Sequence, residues 1–402
     1  MTEPTNRSEL YQEAFQQVLR EHKSFRLHAE RGREFIFVAG ELLTIPEDLE
    51  RVTRKLAQNN IGTDRGRDFA GMNRLVLPRN SDDIPEVVRL LRDPRQWPGE
   101  RTPFVQPHHV LVGHGGNMHG NPGQPPKVGT PLAAPDPGAA GRGRGVVVAI
   151  VDTGISATAA TDHPQWLANA FTPKVDEVDA AYAHDDVFAL EGGHGTFVAG
   201  VVRQAAPGVR FDPEKALQPS GMGTEEDFVR ALAPSSFDEK VQIVNVSLGC
   251  FTQDDVASEP VRRAVAALPA GVVVVASAGN HGTARPSWPA ALPNVVAVSA
   301  VAEERDGTRS PACYAGFGHW VNACAVGNRT STYLKGRWEV PGLPVDVYDR
   351  FAYWLGTSFA APHVAGRIAA AMTEHNLSAT AARDLLLVGR PEFFPGYGPF
   401  VE

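Results

Sequence analysis

Four runs of apolar residues constrain the fold of the second half of the chain more than any other feature. They are 146–154 (VVVAIVDTG), 241–249 (VQIVNVSLG), 271–280 (GVVVVASAGN) and 294–301 (NVVAVSAV). Continuous apolar runs without polar alternation are typical of strands that are buried on both faces of a parallel sheet. Helical patterns lie between them, at 195–204, 224–233 and 257–268. The alternation predicts an α/β fold with a doubly wound, mostly parallel sheet over residues 145–402.

The first third of the chain has a different pattern. Residues 24–112 combine strand-like segments at 34–45, 73–78 and 108–113 with helical segments at 46–59 and 81–93. We expect a small α+β domain there. The preceding segment, 1–23, is predicted to form an amphipathic helix. Its apolar stripe, which we interpret as packing surface, consists of Leu10, Ala14, Val18, Tyr11, Phe15 and Leu19.

Residues 113–144 are dominated by glycine and proline and are predicted to be an extended linker. Four histidines cluster at its start: His108, His109, His114 and His119. They are either metal ligands or ordinary strand and linker residues. Because no carboxylate or cysteine completes a fixed ligand set, we predict no metal site. A dinucleotide-binding loop is also not expected, because the glycines follow no clear strand and open no helix.

Polar residues of unusual chemistry stand where strands end and helices begin. Asp152 closes the first apolar run, Asn280 closes the third, and His194 and Ser358 open helical segments. Each alone has a structural interpretation, as a cap, a turn residue or a packed histidine. Together they supply a serine nucleophile, a base, an acid that orients the base and an amide donor for an oxyanion. The set therefore favours acyl transfer from Ser358.

Four local motifs carry a family resemblance: IVDTGI around Asp152, GHGTFVAG around His194, SAGN at Asn280 and GTSFAAPHVAG around Ser358. In this order they resemble the subtilisin-like serine peptidases (subtilases, peptidase family S8). The resemblance covers about residues 145–390. It implies a serine endopeptidase with the triad Asp152, His194 and Ser358, the oxyanion donor Asn280, and no cofactor for the chemistry. Calcium dependence stays open, because we identify no calcium loop.

The resemblance also implies where a substrate binds. An extended peptide is expected to add as a strand between two segments of the enzyme. By the family match, one edge consists of Ser247, Leu248 and Gly249, and the other contains Gly221 and Gly223. Ala278 and Gly279 are expected in the wall of the P1 pocket. Ser287 and Trp288 are expected near its floor. No acidic residue stands in these segments, so we predict an apolar or broad P1 preference.

Several positions depart from the family pattern. Gly193 stands where an aspartate is common, Phe197 where a second histidine is common, and Phe359 where a methionine is usual. None of these changes removes a catalytic group. An aromatic insertion, 334–354, precedes the serine motif. It is either a surface hairpin with a small core of its own or a lid that contributes to specificity.

The N-terminal domain resembles the propeptide of many subtilases in size and element order. Its last strand, VQPHHVLVG, would then lead the chain into the cleft, so residues 24–112 would inhibit the enzyme within the same molecule. The linker that follows would be the place of self-cleavage. The alternative is an unrelated accessory domain that recruits a substrate or partner.

Composition narrows the cellular setting. The formal net charge of −8 argues against a nucleic-acid-binding face. No apolar segment approaches the about 20 residues of a membrane span, and the N-terminus lacks the pattern of a secretory signal. We therefore expect a cytoplasmic protein. The family layout would allow Cys313 and Cys324 to pair, whereas a reducing compartment favours free thiols.

Two function classes remain open from the sequence. The first is a serine endopeptidase that acts on protein or peptide substrates, as a regulated intracellular or processing protease. The second is a catalytically silent pseudoprotease that keeps the cleft as a partner-recognition module. The intact set of Asp152, His194, Ser358 and Asn280 favours the first.

Overall fold

The structure, a computed structural model, describes residues 7–78, 83–113, 125–172, 178–304, 306–340, 342 and 344–402. Two of the four clustered histidines, His114 and His119, lie outside these residues. In the described part of the chain, no helix is long and apolar enough to cross a membrane.

The second half of the chain is built on one seven-stranded sheet. Its strands are β7 (Val147–Asp152), β10 (Arg210–Lys215), β12 (Ile243–Val246), β13 (Val273–Ser277), β14 (Val295–Glu303), β15 (Arg309–Pro311) and β16 (Ala323–Val326). Strands β10, β7, β12, β13, β14 and β16 run parallel in that order, and β15 pairs antiparallel with the end of β14. The predicted α/β fold with a mostly parallel sheet is confirmed.

Helices cover both faces of this sheet. They are α4 (Ala159–Asp162), α5 (His194–Ala205), α6 (Glu225–Ala231), α7 (Glu259–Ala266), α8 (Thr357–Glu374) and α9 (Ala379–Leu387). Val148 and Ile150 of β7 belong to the core that contains α5 and α8. Val147 and Ala149 belong to the core that contains α6 and α7. Because successive side chains of a strand point to opposite faces, an apolar run satisfies both cores at once.

The N-terminal unit is a smaller α+β layer. It contains α1 (Arg7–Glu21), α2 (Leu49–Gln58), α3 (Ile84–Arg92), β1 (Phe25–His28), β2 (Phe35–Thr44), β3 (Asp64–Arg65), β4 (Asn73–Val76) and β5 (Val105–Val112). Its sheet does not end within the unit, because β5 also pairs antiparallel with β11 (Met222–Thr224) of the second half. The two halves of the chain therefore share a sheet.

Helix α1 packs into both hydrophobic cores. Tyr11 is fully buried in the core of the large sheet, where its ring lies 5.7 Å from that of Trp338. One turn later, Phe15 and Leu19 are buried in the core of the N-terminal unit. The predicted apolar stripe is thus divided between two neighbours, and α1 joins them.

The aromatic insertion is part of the main core. Strands β17 (Asn328–Trp338) and β18 (Asp346–Leu355) form an antiparallel hairpin, which is extended by β6 (Lys127–Val128), β8 (Tyr182–His184) and β9 (Val187–Phe188). Trp338, Tyr348 and Trp354 are each about 1% exposed and belong to the core that contains α5 and α8. A surface hairpin with a core of its own is therefore wrong. The chain ends in a short hairpin, β19 (Phe393–Phe394) and β20 (Gly398–Pro399).

We expect Phe15→Ala to destabilise the N-terminal unit by about 3–5 kcal/mol, the usual effect of truncating a buried phenylalanine. Phe15 is 0% exposed, whereas Glu13 on the same helix is exposed. The measurement is urea unfolding of Phe15→Ala beside Glu13→Ala, followed by tryptophan fluorescence. Equal unfolding midpoints in the two variants would show that α1 does not contribute to the N-terminal core.

Candidate active site

Three secondary-structure boundaries bring Asp152, His194 and Ser358 together. Asp152 is the last residue of β7, His194 is the first residue of α5, and Ser358 is the second residue of α8. Parallel strands end at a common edge of the sheet, and helices that follow them begin there. The residues predicted from separate motifs therefore meet at one edge, although they are far apart in sequence.

Asp152 and His194 form a buried pair. His194 Nδ1 lies 2.7 Å from Asp152 Oδ1, and both side chains are 0% exposed. The backbone N–H of Thr153 donates to the same carboxylate oxygen at 2.8 Å. A carboxylate that accepts from Nδ1 selects the tautomer in which Nε2 is the basic nitrogen. The imidazole ring packs against the rings of Trp354 and Phe359, each with its centroid 5.4 Å away.

The surroundings of His194 favour its charged form. Burial alone would lower the pKa of His194, because it disfavours the imidazolium. The charge of Asp152 and the hydrogen bond to it act in the opposite direction, and the charges of Glu191 and Asp179 add to them. The pKa of His194 is therefore raised above its ordinary value of 6.5.

Ser358 lies at the start of a buried helix beside the substrate segment. Its side chain is 2% exposed, and its Oγ donates a long hydrogen bond of 3.4 Å to the carbonyl oxygen of Ser247. Within the described residues, Ser358 Oγ makes no hydrogen bond to His194. Ser247 Oγ in turn donates to the carbonyl of Ser358 at 2.9 Å, which holds the two segments together. Catalytic hydrogen bonds in structures without substrate are often long or misaligned.

Asn280 is fixed to the first turn of α8. Its Oδ1 accepts hydrogen bonds from the backbone N–H of Thr357 at 2.9 Å and from the Thr357 hydroxyl at 3.0 Å. Because the amide oxygen is bound to α8, the donor group of the amide lies on the other side of the side chain. Asn280 and Ser358 line the same cleft.

Three of the seven predicted substrate residues line this cleft: Leu248, Gly249 and Gly279. The residues that line it from the large unit are Leu248, Gly249, Cys250, Phe251, Ser277, Gly279, Asn280, His281, Ser287 and Ser358. Ser247 and Ala278 lie behind the surface, at 0% and 3% exposure. Three cleft residues were not predicted from the sequence, Cys250, Phe251 and His281, although each lies within two positions of a predicted site residue. Gly249 lies against the cleft wall, because a Cβ there would approach Ser287 Oγ to 2.7 Å.

The cleft is occupied by the chain's own strand β5. Val112 exchanges two backbone hydrogen bonds with Gly249, of 2.8 and 3.0 Å. On the other side Leu111 is paired with Gly223, and the N–H of Gly113 donates to the carbonyl of Gly221 at 2.8 Å. The two edges that the sequence assigned to a substrate peptide are therefore both bonded to β5.

The clustered histidines and the cysteines form no second functional site among the described residues. His108 binds Glu41 through Nδ1 at 2.7 Å, and His109 binds a different carboxylate, Glu225, at 3.1 Å. No group of three or more histidine, cysteine or acidic side chains in the described segments is arranged to hold a metal ion. In the described part of the chain no disulfide joins Cys313 to Cys324.

Three comparisons with known proteins find similarity to subtilases and other serine proteinases. A sequence profile of the subtilase family matches residues 143–388. The thermophilic serine proteinase of Bacillus sp. (strain AK1) is 33% identical over 232 residues, which cover 55% of this chain and 51% of that protein. Subtilisin DY of Bacillus licheniformis is 30% identical over 261 residues, which cover 61% of this chain and 83% of that protein. The chain thus spans about half the length of the first of these relatives.

The crystal structure of fervidolysin from Fervidobacterium pennivorans, a keratinolytic enzyme related to subtilisin, has a similar fold. The TM-score is 0.61 at 19% sequence identity, over 94% of this chain and 61% of that chain. At this identity the likeness concerns the fold. The range matched by the family profile exceeds half of the chain and contains Asp152, His194, Asn280 and Ser358. The chain therefore belongs to the subtilase family.

Proposed function

We propose that this chain is a serine endopeptidase that cleaves peptide bonds through Ser358, His194 and Asp152. The observation that carries the proposal is the buried hydrogen bond of 2.7 Å between Asp152 and His194, whose ring packs against Phe359, the residue after Ser358. The names of two relatives, a serine proteinase and a subtilisin, support it.

The proposed reaction has two stages. In the first, Ser358 Oγ attacks the carbonyl carbon of the substrate, and its proton moves to His194 Nε2. The C–N bond then breaks, and His194 returns the proton to the leaving amine, so that an ester to Ser358 remains. In the second stage a water molecule attacks the ester carbon and gives a proton to His194. The C–O bond to Ser358 then breaks, His194 returns the proton to Ser358 Oγ, and the carboxylic acid product leaves. Asp152 keeps the tautomer of His194 and stabilises its charged form.

The negative charge that develops on the substrate oxygen needs donors. We propose the side-chain N–H of Asn280 and the backbone N–H of Ser358 for this role. Ser358 lies in the first turn of α8, where backbone N–H groups have no acceptor within the helix. Donors that are held in place before the reaction cost no reorganisation when the charge appears.

The substrate is proposed to bind as an extended strand between Gly221–Gly223 and Ser247–Gly249. Strand β5 already makes these bonds, so backbone pairing on both edges is compatible with the geometry of the cleft. None of the residues that line the cleft is acidic. An apolar or broad preference at P1 follows from that lining, because no carboxylate is available for a basic side chain.

We propose that residues 24–112 inhibit the enzyme in the same molecule. Strand β5 fills the substrate position, and further buried bonds hold it there. Glu225, the first residue of α6, accepts from the backbone N–H of His109 at 2.9 Å, and Gln106 accepts from the N–H of Glu259 in α7 at 3.0 Å. An accessory domain that only recruits a partner would not need to fill the cleft.

Gly113 is the last described residue of the segment that fills the cleft, and we propose that self-cleavage occurs within 113–144. Cleavage alone would not release the N-terminal piece, because Tyr11 is buried in the core of the other unit and its hydroxyl donates to Glu191 there. A regulated intracellular or processing protease fits this retention.

One observation favours the alternative, a peptide-binding pseudoprotease. Ser358 Oγ is directed to the carbonyl of Ser247 and is not hydrogen-bonded to His194 in the described structure. If this arrangement persisted with substrate bound, the cleft would hold a peptide without cleaving it.

Self-cleavage is tested by the intact mass of the purified full chain beside Ser358→Ala. We expect the wild type to split between residues 113 and 144, with both fragments eluting together on gel filtration, and Ser358→Ala to stay whole. Ser310→Ala, which replaces an exposed serine of β15, is the control and should split like the wild type. A fluorophosphonate probe should label the wild type, after limited proteolysis where needed, and not Ser358→Ala. No splitting and no labelling under either condition would favour the pseudoprotease.

The oxyanion role predicts that Asn280→Ala lowers kcat by about 10²–10³, the usual loss when one such donor is removed. KM should change little, because the donor acts mainly in the transition state. Thr357→Val is the matched control: it removes one of the two bonds that orient Asn280 and keeps the donor, so a much smaller loss is expected. A raised KM with unchanged kcat in Asn280→Ala would contradict the role.

The raised pKa of His194 predicts the acid limb of the pH profile. His194 must be neutral to accept the proton of Ser358, so kcat/KM falls as the pH drops through its pKa. The midpoint should lie above 6.5, because Asp152 stabilises the imidazolium. The measurement is kcat/KM for a chromogenic peptide from pH 5 to 9. A midpoint below 6.5 would show that the Asp152 pairing does not control the base.

A further inference from the structure

Asp179 is a buried carboxylate that belongs to none of the four motifs. It is 6% exposed and lies on the segment that runs beside the loop after β7, where its backbone N–H donates to the carbonyl of Ile155 at 3.0 Å. A carboxylate is rarely buried without a specific set of donors. The identity of those donors indicates what Asp179 does.

Asp179 Oδ2 accepts two hydrogen bonds, one from each side of the catalytic pair. The backbone N–H of Gly193, the residue before His194, donates at 2.7 Å. The hydroxyl of Thr153, the residue after Asp152, donates at 3.0 Å. One carboxylate oxygen therefore contacts the immediate neighbours of both Asp152 and His194.

Thr153 closes this arrangement into a ring. Its hydroxyl oxygen accepts from the backbone N–H of Gly195, the residue after His194, at 3.2 Å. Its backbone N–H donates to Asp152 Oδ1 at 2.8 Å. The residues on both sides of His194 are thus tied through Asp179 and Thr153 to the loop that carries Asp152.

Gly193 is held in a conformation that needs support. Its φ of +83° lies in the left-handed region, and it is the cap residue of α5. A Cβ there would come within 2.7–2.8 Å of Leu334 and Tyr333. Its N–H is one of the groups at a helix start that have no acceptor within the helix, and a negative charge at that position is favourable.

We propose that Asp179 is a positioning residue of the catalytic pair, which fixes the distance between Asp152 and His194 and stabilises the charged form of His194. This inference rests on the proposed peptidase function. Asp179 touches no substrate atom in this scheme, and its effect is transmitted through Gly193, Thr153 and its negative charge.

The charge of Asp179 is itself pH-dependent. Burial raises its pKa to about 7, although the bonds from Gly193 and Thr153 oppose the rise. The titratable groups around it are Asp152 at the end of β7, Lys215 at the end of β10, His194 on α5, Tyr182 on β8 and Tyr333 on β17. Protonation of Asp179 removes a negative charge that raises the pKa of His194, and so weakens the base.

The experiment compares Asp179→Asn, Asp179→Ala and Asp186→Asn in the full chain. Asparagine keeps an acceptor oxygen for Gly193 and Thr153 and removes the charge, whereas alanine removes both. Asp186 lies on the same stretch of chain but is exposed and paired with Arg337, so its substitution is the matched control. Thermal midpoints of all three variants report whether the fold is kept.

We expect Asp179→Asn to lower kcat by about tenfold, equivalent to about one pKa unit of interaction, with KM unchanged. Its acid limb should shift to lower pH and fit one ionisation, because the pKa of His194 falls and Asp179 no longer titrates. Asp179→Ala should lower kcat further than Asp179→Asn does. Asp186→Asn should have the kcat and the acid limb of the wild type. If kcat and the acid limb of both Asp179 variants equal those of the wild type, Asp179 has no positioning role.

A second readout does not need turnover. In a Ser358→Ala background, the Nδ1 proton of His194 is followed by NMR against pH, with its resonance assigned by its loss in His194→Ala. We expect the midpoint to fall when Asp179→Asn is added. A shifted midpoint in a chain whose wild type has no activity would sink the peptidase function and leave this inference standing. An active wild type with an unshifted midpoint would support the peptidase function and contradict the positioning role of Asp179.

Discussion

The architecture depends on the burial of one parallel sheet on both of its faces. In β7, Val148 and Ile150 face α5 and α8, while Val147 and Ala149 face α6 and α7. Because neither face of β7 is wet, its side chains are apolar up to the last residue, Asp152. The parallel strands end at a common edge, so Asp152 lies beside the first turns of the helices that carry the other site residues. The position of the site is therefore a consequence of how the sheet is buried.

Local patterns in the sequence were sufficient to predict the large sheet and to choose the site residues. Apolar runs report burial directly, and Asp152, His194 and Ser358 each stand at a boundary that the runs define. The shared sheet was harder to predict, because the pairing of β5 with β11 joins segments far apart in the chain. The role of the 334–354 hairpin also depends on distant partners, since Trp338 is buried against Tyr11 of α1. No short window of sequence contains either contact.

The contacts of Asp179 inside the site also could not be predicted from a short window of sequence. It lies 14 residues before Gly193 in sequence, and nothing around it has the glycine-rich pattern that marked the motif residues. Only the fold reveals that its carboxylate reaches Gly193 and Thr153. The hydrogen bond from Ser358 to the carbonyl of Ser247 was likewise invisible from sequence, because a rotamer depends on packing. The residue types predicted which chemical groups the site contains. Packing determined the rotamers and the hydrogen-bond partners of those groups.

Because β5 occupies the cleft, cleavage of the linker and release of the N-terminal unit would be separate events. A strand tethered to its own site competes with substrate at a high effective concentration, about millimolar for a short flexible tether. Cutting the chain after Gly113 would remove that tether but not the interface. The interface includes the buried contact between His109 and Glu225 and the burial of Tyr11 on α1, and neither depends on an intact linker. In the proposed scheme, access to Ser358 would be limited by how long the N-terminal unit stays docked. A partner that unfolds or captures this unit would then control the enzyme without touching its catalytic residues.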